Sequence, residues 1–198
     1  MRAVVIREHG GPEVLTFEQR PQPVPGPKEI RVQVRAVGLN HLDLWVRNGV
    51  PGHAFPLPIV PGCDVAGVVD ALGPGATGVA VGDEVVVAPG VSCGRCLPCR
   101  AGDDALCRTY GILGESQDGG CQDYLVLSDS AVFPKPRGLD WEQAAAVPLT
   151  FLTAWHMLKE RARVQPGESV LVHAAGSGVS VAAIQIATLL GSACRFKK

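Results

Sequence analysis

The sequence lacks most of the features that would place a chain in a specialised class. Its 18 Lys and Arg nearly balance 19 Asp and Glu, leaving a net charge of −1. Nothing in that balance favours nucleic acid or an anionic membrane as a partner. No apolar run approaches the roughly 18–20 residues that a membrane-spanning helix needs. Residues 1–10 (MRAVVIREHG) hold an apolar stretch too short for a signal peptide, with no cleavage pattern after it. Internal repeats and low-complexity tracts are missing. The cytoplasm is therefore the expected location, and there thiols stay reduced and favour metal binding over disulfides. Seven cysteines, an odd number, also rule out complete internal pairing.

Glycine (24) and proline (16) are plentiful. They are spread as punctuation between short apolar runs, a pattern that suits many short strands joined by turns. Residues 3–6 read as a strand, and 21–27 (PQPVPGP) as an extended loop. Residues 29–37 (EIRVQVRAV) alternate apolar and polar strictly, as a half-buried strand does. Further strands are expected at 62–73, 82–89, 124–127 and 131–133. This first part is therefore a β-rich barrel or sandwich. The character changes near Leu139. Residues 140–147 (DWEQAAAV) read as a helix that Pro148 interrupts, and Leu152, Trp155, Leu158 and Ala162 then recur at helical spacing. Residues 169–173 (SVLVH) form a short apolar strand. It leads into 174–191 (AAGSGVSVAAIQIATLLG), a small-residue turn and a helix apolar on nearly all faces, expected to be deeply buried. Strand, glycine-containing turn and buried helix open a βαβ unit. Residues 195–198 (RFKK) lack the apolar pattern expected of the next strand.

Four cysteines, Cys93, Cys96, Cys99 and Cys107, sit in one short segment. Two Cys-x-x-Cys steps share a cysteine, Gly94 and Gly102 let the loop curl, and Cys107 returns to close the shell. Four thiolates suit a structural zinc with no open position for substrate. An iron–sulfur cluster is the competing occupant, but the spacing differs from bacterial ferredoxins and no Cys-Pro ending follows. Four reduced thiols without a metal is the third reading. Cys121 and Cys194 read as packed residues.

In order along the chain, GLNHLD (38–43), PGCDVAGVV (61–69), VGDEV (81–85), the four-cysteine segment, AAVPLTFLTAW (145–155) and GESVLVHAAGSG (167–178) resemble the medium-chain dehydrogenase/reductase superfamily. That superfamily contains the zinc alcohol dehydrogenases and the quinone oxidoreductases. The resemblance covers nearly the whole chain. It implies a GroES-like β-barrel domain over 1–138, with its zinc lobe at 91–108. Connecting helices and the first βα unit of an incomplete Rossmann domain would follow over 139–198, an α+β, mostly β chain overall. It further implies NAD- or NADP-linked hydride transfer to or from a small carbonyl, alcohol or quinone, and one structural zinc per chain.

The sequence departs from the zinc alcohol dehydrogenases at the catalytic metal. Their ligand positions fall at Asn40, at Gly62-Cys63-Asp64 and near Leu149, so no catalytic zinc is expected. A non-standard metal site from His41, Cys63 and Asp64 is the alternative. Asp43 corresponds to a residue behind that metal and is otherwise a helix cap. Asn40 is expected to donate to a substrate oxygen or the nicotinamide ribose, or else to bond its own backbone. Thr153 would approach the nicotinamide; as a plain helix residue it would bond a carbonyl one turn back. The three glycines of the nucleotide fingerprint fall at Ala175, Ser177 and Ser180, while Gly176 and Gly178 survive between them. The turn through Ala175, Gly176, Ser177, Gly178, Val179 and Ser180 is expected to receive the pyrophosphate, with Ser177 as an added hydroxyl donor. Relatives continue well past this length, so a truncated member with weak or no activity is expected. The alternative is a non-catalytic, zinc-stapled interaction module. Homo-oligomers are possible, and neither nucleic acid nor membrane is an expected partner.

Overall fold

A computed structural model describes residues 1–197, and the last position of the 195–198 stretch, Lys198, lies outside the described residues. The chain forms two compact units, Met1–Ala146 and Val147–Lys198.

The first unit opens with an antiparallel hairpin, β1 (Arg2–Ile6) and β2 (Leu15–Gln19). There follow β3 (Glu29–Gly38), α1 (His41–Asn48), β4 (Asp64–Leu72), β5 (Glu84–Val87) and β6 (Gly90–Val91). Next come α2 (Leu97–Arg100), β7 (Gly111–Ile112), β8 (Tyr124–Ser128), β9 (Val132–Pro134) and α3 (Trp141–Ala145). Five strands make an antiparallel sheet in the order β8-β3-β4-β5-β9. The alternation of β3 is used as its pattern requires. Ile30 and Val32 are fully buried, while Arg31 turns outward and donates to Asp70 at 2.7 Å.

The sheet cannot be flat. β8 and β9 lie at its opposite ends, yet only Asp129–Ala131 join them. Four residue steps reach at most about 14 Å. Four inter-strand gaps in a flat sheet span about 19 Å. The sheet must therefore curl to bring its edges together. Register shifts between Arg31 and Val32 and between Val34 and Ala36 mark where β3 bends.

α3 lies on β3 and β4 and is started by a capping box: Asp140 accepts from Gln143 N at 2.7 Å, and Gln143 Oε1 accepts from Asp140 N. Ala144 and Ala145 pack with Ala66, all buried. The approach is close enough that a Cβ on Gly38 would sit 2.6 Å from the Ala145 carbonyl oxygen.

The second unit runs α4 (Pro148–Trp155), which proline starts at its first turn, into a π-helical stretch over His156–Arg161. Then come β10 (Ser169–His173), α5 (Gly178–Leu189) and β11 (Ala193–Lys197). β10 and β11 pair in parallel, Val170 opposite Cys194 and Val172 opposite Phe196. The unit is thus a full β-α-β, although 195–198 lacks the expected apolar pattern. Ladder hydrogen bonds are made by the backbone, and the alternating Cys194 and Phe196 carry what apolar signal exists. Its core is Ala154, Leu158, Val164, Val172, Ala182, Ala183, Ile186 and Ala187. α5 is not buried all round as its composition suggests. Ala182 and Ala187 are fully covered, while Leu189 is 78% exposed. Among the described residues no helix is long and apolar enough to cross a membrane.

Candidate functional site

Asn40 occupies the N-cap of α1 in an extended conformation. Its backbone N–H donates to Asp43 Oδ2 at 2.7 Å, and Gly62 N donates to Asp43 Oδ1 at 2.8 Å. One buried carboxylate therefore clasps the start of α1 to the segment entering β4. Gly62 adopts φ +99°, and a Cβ there would meet Cys121 Sγ at 2.9 Å, so only glycine fits. The clasp places Cys63 and Asp64, both almost wholly buried, beside Asn40. Asn40 Nδ2 donates to Asp64 Oδ2 at 2.8 Å and lies 3.4 Å from Cys63 Sγ. The Asn40 amide thus faces this knot.

Burial pushes the Asp43 carboxyl above its ordinary range, against the pull of the backbone N–H groups of Asn40, Gly62 and Asp43 itself. Burial likewise pushes the Cys63 thiol well up, and the Asp64 and Asp43 carboxylates add to it. Without a metal Cys63 is therefore held as a neutral thiol, a poor nucleophile. His41 stands edge-on to Trp45, ring centres 5.2 Å apart. Among the described residues only the four cysteines group as a metal-ligand set, so His41, Cys63 and Asp64 do not assemble one.

Those four cysteines come from the segment between β6 and β7. Gly94 (φ +67°) and Gly102 (φ +87°) supply its left-handed turns. The Sγ atoms of Cys93, Cys96, Cys99 and Cys107 all lie within 4.8 Å of one another, with Cys96–Cys99 at 3.3 Å and Cys93–Cys99 at 3.9 Å. A tetrahedron with Zn–S bonds of about 2.3 Å has S–S edges of about 3.8 Å. The set fits that ion with small adjustment. Cys96 N donates to Cys93 Sγ and Cys93 N to Cys107 Sγ, at 3.4 and 3.5 Å. The Thr109 hydroxyl, then the backbone N–H of Cys93 and of Thr109, lower the Cys107 thiol to about 6. Backbone N–H groups of Arg95 and Cys96 lower Cys93. Both shifts favour the thiolate that a metal requires, whereas Cys96 is pushed up to about 12, the pull of the Cys99 backbone N–H being outweighed by the Cys99 thiol, burial and the Cys93 and Cys107 thiols. Thr109 escaped the reading of the sequence; its spacing of two from a ligand cysteine was the available sign.

In the second unit, β10 hands over to α5 through Ala174, which takes φ +51° without being glycine. Ala175 and Gly176 follow, and a Cβ on Gly176 would meet open space. Ser177 is the N-cap of α5, accepting from Ser180 N at 3.3 Å and donating to Ser180 Oγ at 2.8 Å. Ser180 Oγ in turn donates to the His173 carbonyl at 2.9 Å. A Cβ on Gly178 would lie 3.0 Å from Thr150 Cγ2, and Val179 sits one position further into α5. Thr153 is half-buried on α4, the helix packed against α5. An open, small-residue turn at a helix N-terminus can take an anionic group on backbone N–H donors.

A curled antiparallel sheet with a four-cysteine lobe between β6 and β7, followed by a β-α-β unit, defines a medium-chain dehydrogenase/reductase. The model of the alcohol dehydrogenase GroES-like domain matches residues 26–137, and the chain belongs to that family. It is 35% identical over 192 residues to human quinone oxidoreductase, covering 96% of this chain and 50% of the relative. It is 32% identical to the human synaptic vesicle membrane protein VAT-1 homolog, covering 94% of this chain and 41% of that protein. Among solved structures, an NAD-dependent alcohol dehydrogenase is 58% identical with a TM-score of 0.95, covering 99% of this chain and 57% of that one. A cobalt- and zinc-bound thermostable alcohol dehydrogenase from Pyrobaculum aerophilum is 38% identical with a TM-score of 0.89, covering 99% of this chain and 59% of that one. The chain spans about half the length of the curated relatives it matches.

Proposed function

We propose that these residues form the substrate-side domain and the opening nucleotide-binding unit of an NAD- or NADP-linked oxidoreductase acting on a small carbonyl, alcohol or quinone. The observation that carries this reading is the knot of Asn40, Asp43, Cys63 and Asp64, built where zinc-dependent relatives would hold a catalytic metal and closed instead by hydrogen bonds. A bound nicotinamide supplies the hydride donor or acceptor. The chain's residues bind and orient. The turn through Ala175, Gly176, Ser177, Gly178, Val179 and Ser180 receives the pyrophosphate, and Thr153 sits toward the nicotinamide. Asp43 and Asp64 hold Asn40 so that its amide sets the polarity at the substrate end. A structural zinc on Cys93, Cys96, Cys99 and Cys107 holds the lobe and takes no part in the reaction. The 1–138 and 139–198 division corresponds to these two tasks. A reducing compartment such as the cytoplasm suits seven free cysteines. Homo-oligomers are compatible with this role.

Two measurements test the reading together. Titration with NADPH and NADH is expected to saturate in the micromolar range, and metal analysis is expected to give one zinc per chain. Two zinc ions per chain would point to a catalytic metal near Cys63. No dinucleotide binding up to millimolar would leave a zinc-stapled module without catalysis and overturn the proposal for these residues.

A further inference from the structure

The second unit carries an apolar face that its own fold leaves open. α4 (PLTFLTAW) and α5 (GVSVAAIQIATL) pack against each other, and neither holds a charged residue. Ala154, Ala182, Ala183 and Ala187 face inward to the core of the unit. On the outside, the two helices border a cleft of about 620 Å³ walled by Pro148, Phe151, Leu152, Trp155, Ile186 and Leu189. The Gln185 amide and the Trp155 indole N–H are its only polar side-chain groups. Leu152 is 48%, Trp155 42% and Leu189 78% exposed. Single exposed apolar residues are ordinary, but three around one cleft make a contiguous patch, and such a patch marks an interaction surface.

The surface area of the chain has room for such an interface. Its 11392 Å² exceeds the roughly 10,500 Å² expected of two separate compact bodies with the lengths of the two units by about 900 Å². Each partner in a standard stable interface buries about 800 Å².

Charge selects among the occupants. An acidic or basic partner finds no counter-charge on α4 or α5, whereas a second copy of this chain brings an equally uncharged and equally apolar surface. The face also supplies both halves of a contact. Leu189 projects from it, and the hollow beside Phe151 and Leu152 can receive such a side chain. Lys159, Glu160 and Arg161, exposed and of both signs, follow α4 and suit a polar rim.

We propose that the α4–α5 face is the contact of a homodimer, in which two copies meet about a two-fold axis and Leu189 of each enters the cleft of the other. The same patch serves both copies, so the contact closes at two and builds no filament.

The test is sedimentation velocity of the purified chain over about 1–100 µM. Expected is a reversible dimer of twice 20.7 kDa. Leu189→Glu puts a charge into the contact and should raise the dissociation constant at least about tenfold. Circular dichroism should stay unchanged, because Leu189 is exposed at the end of α5. Leu171→Glu, at an exposed β10 position that does not border the cleft, should leave the constant within about twofold. In the unmodified chain, amide exchange over Pro148–Trp155 and Gly178–Leu189 should slow as concentration rises, and this decides the matter alone if Leu189→Glu does not fold. A monomer throughout the range overturns the proposal and leaves the face to a different polypeptide. Open-ended aggregates overturn it too, as do a dimer that Leu189→Glu leaves intact, one that Leu171→Glu weakens as much, or protection confined to other segments.

Discussion

Replacing Asp43 with alanine gives the sharpest check on the clasp between α1 and β4. The carboxylate is 8% exposed and accepts from Asn40 N at 2.7 Å and Gly62 N at 2.8 Å. Alanine leaves both donors without that acceptor. An unsatisfied buried donor costs about 1–3 kcal/mol. Water reaching the Asn40 side would spare part of this, so a total near 3 kcal/mol is expected rather than the upper sum of about 6. For a chain of this size each kcal/mol moves Tm by about 2–4 °C, which gives a fall of about 6–12 °C. Asp43→Asn should fall between, since its single oxygen serves one donor while its amide nitrogen opposes the other. The pH dependence has a definite sign. Burial raises the folded-state pKa, so the folded chain holds the proton more tightly than the unfolded one. Stability contributed by this group is full below the unfolded value of 3.8 and is lost as pH rises through the folded value. The stability difference between wild type and Asp43→Asn should therefore shrink as pH rises through that window. Thermal melts by circular dichroism from pH 4 upward measure both effects. A fall of less than about 2 °C for Asp43→Ala, under 1 kcal/mol on the same scale, would refute the clasp.

Gly38→Ala should cost about 1–3 kcal/mol, because the added methyl would sit 2.6 Å from the Ala145 carbonyl; urea melts would show it as a lower midpoint, and an unchanged midpoint would mean α3 yields freely. Ser177→Ala removes the N-cap of α5 and should cost the second unit about 1 kcal/mol, read as faster amide exchange over Gly178–Leu189 with 1–146 unchanged. Removing the metal with a chelator should expose 91–110 to trypsin while leaving the far-ultraviolet signal of the five-stranded sheet in place, since that sheet has its own buried residues. Collapse of the whole sheet on chelation would contradict this division.

What could be read from the sequence was whatever imposes a local pattern. β3 announced itself by strict alternation, β10 by its run of valine and leucine between a Pro-Gly turn and small residues, and the cysteine lobe by ligand spacing. Two elements left fainter signals. β2 has Leu15 and Phe17 on a mostly exposed hairpin, so burial never sharpened its pattern. β11 is defined by pairing with β10 rather than by its side chains. The site was legible only as separate residues. Asn-x-x-Asp at 40–43 signals a helix start, but nothing local says that the Asn40 amide meets Asp64, 24 positions on. That contact depends on Asp43 drawing Gly62 across, and such a bond is visible only once the strands have paired.

The curl of the five-stranded sheet turns Asp129–Ala131 into a tether. Its permissible length follows from the geometry: about 14 Å of chain must join edges that a flat sheet would hold about 19 Å apart. Length is therefore constrained on one side only. Added residues give slack that the loop can absorb at a small entropic cost. Removing one shortens the greatest reach by about 3.5 Å, and the 3-10 turn over Asp129–Ala131 must then unwind before β8 or β9 gives up a rung of its ladder. Natural and designed variants of this barrel should accordingly tolerate insertions between Ser128 and Val132 more readily than deletions, which cost the turn first.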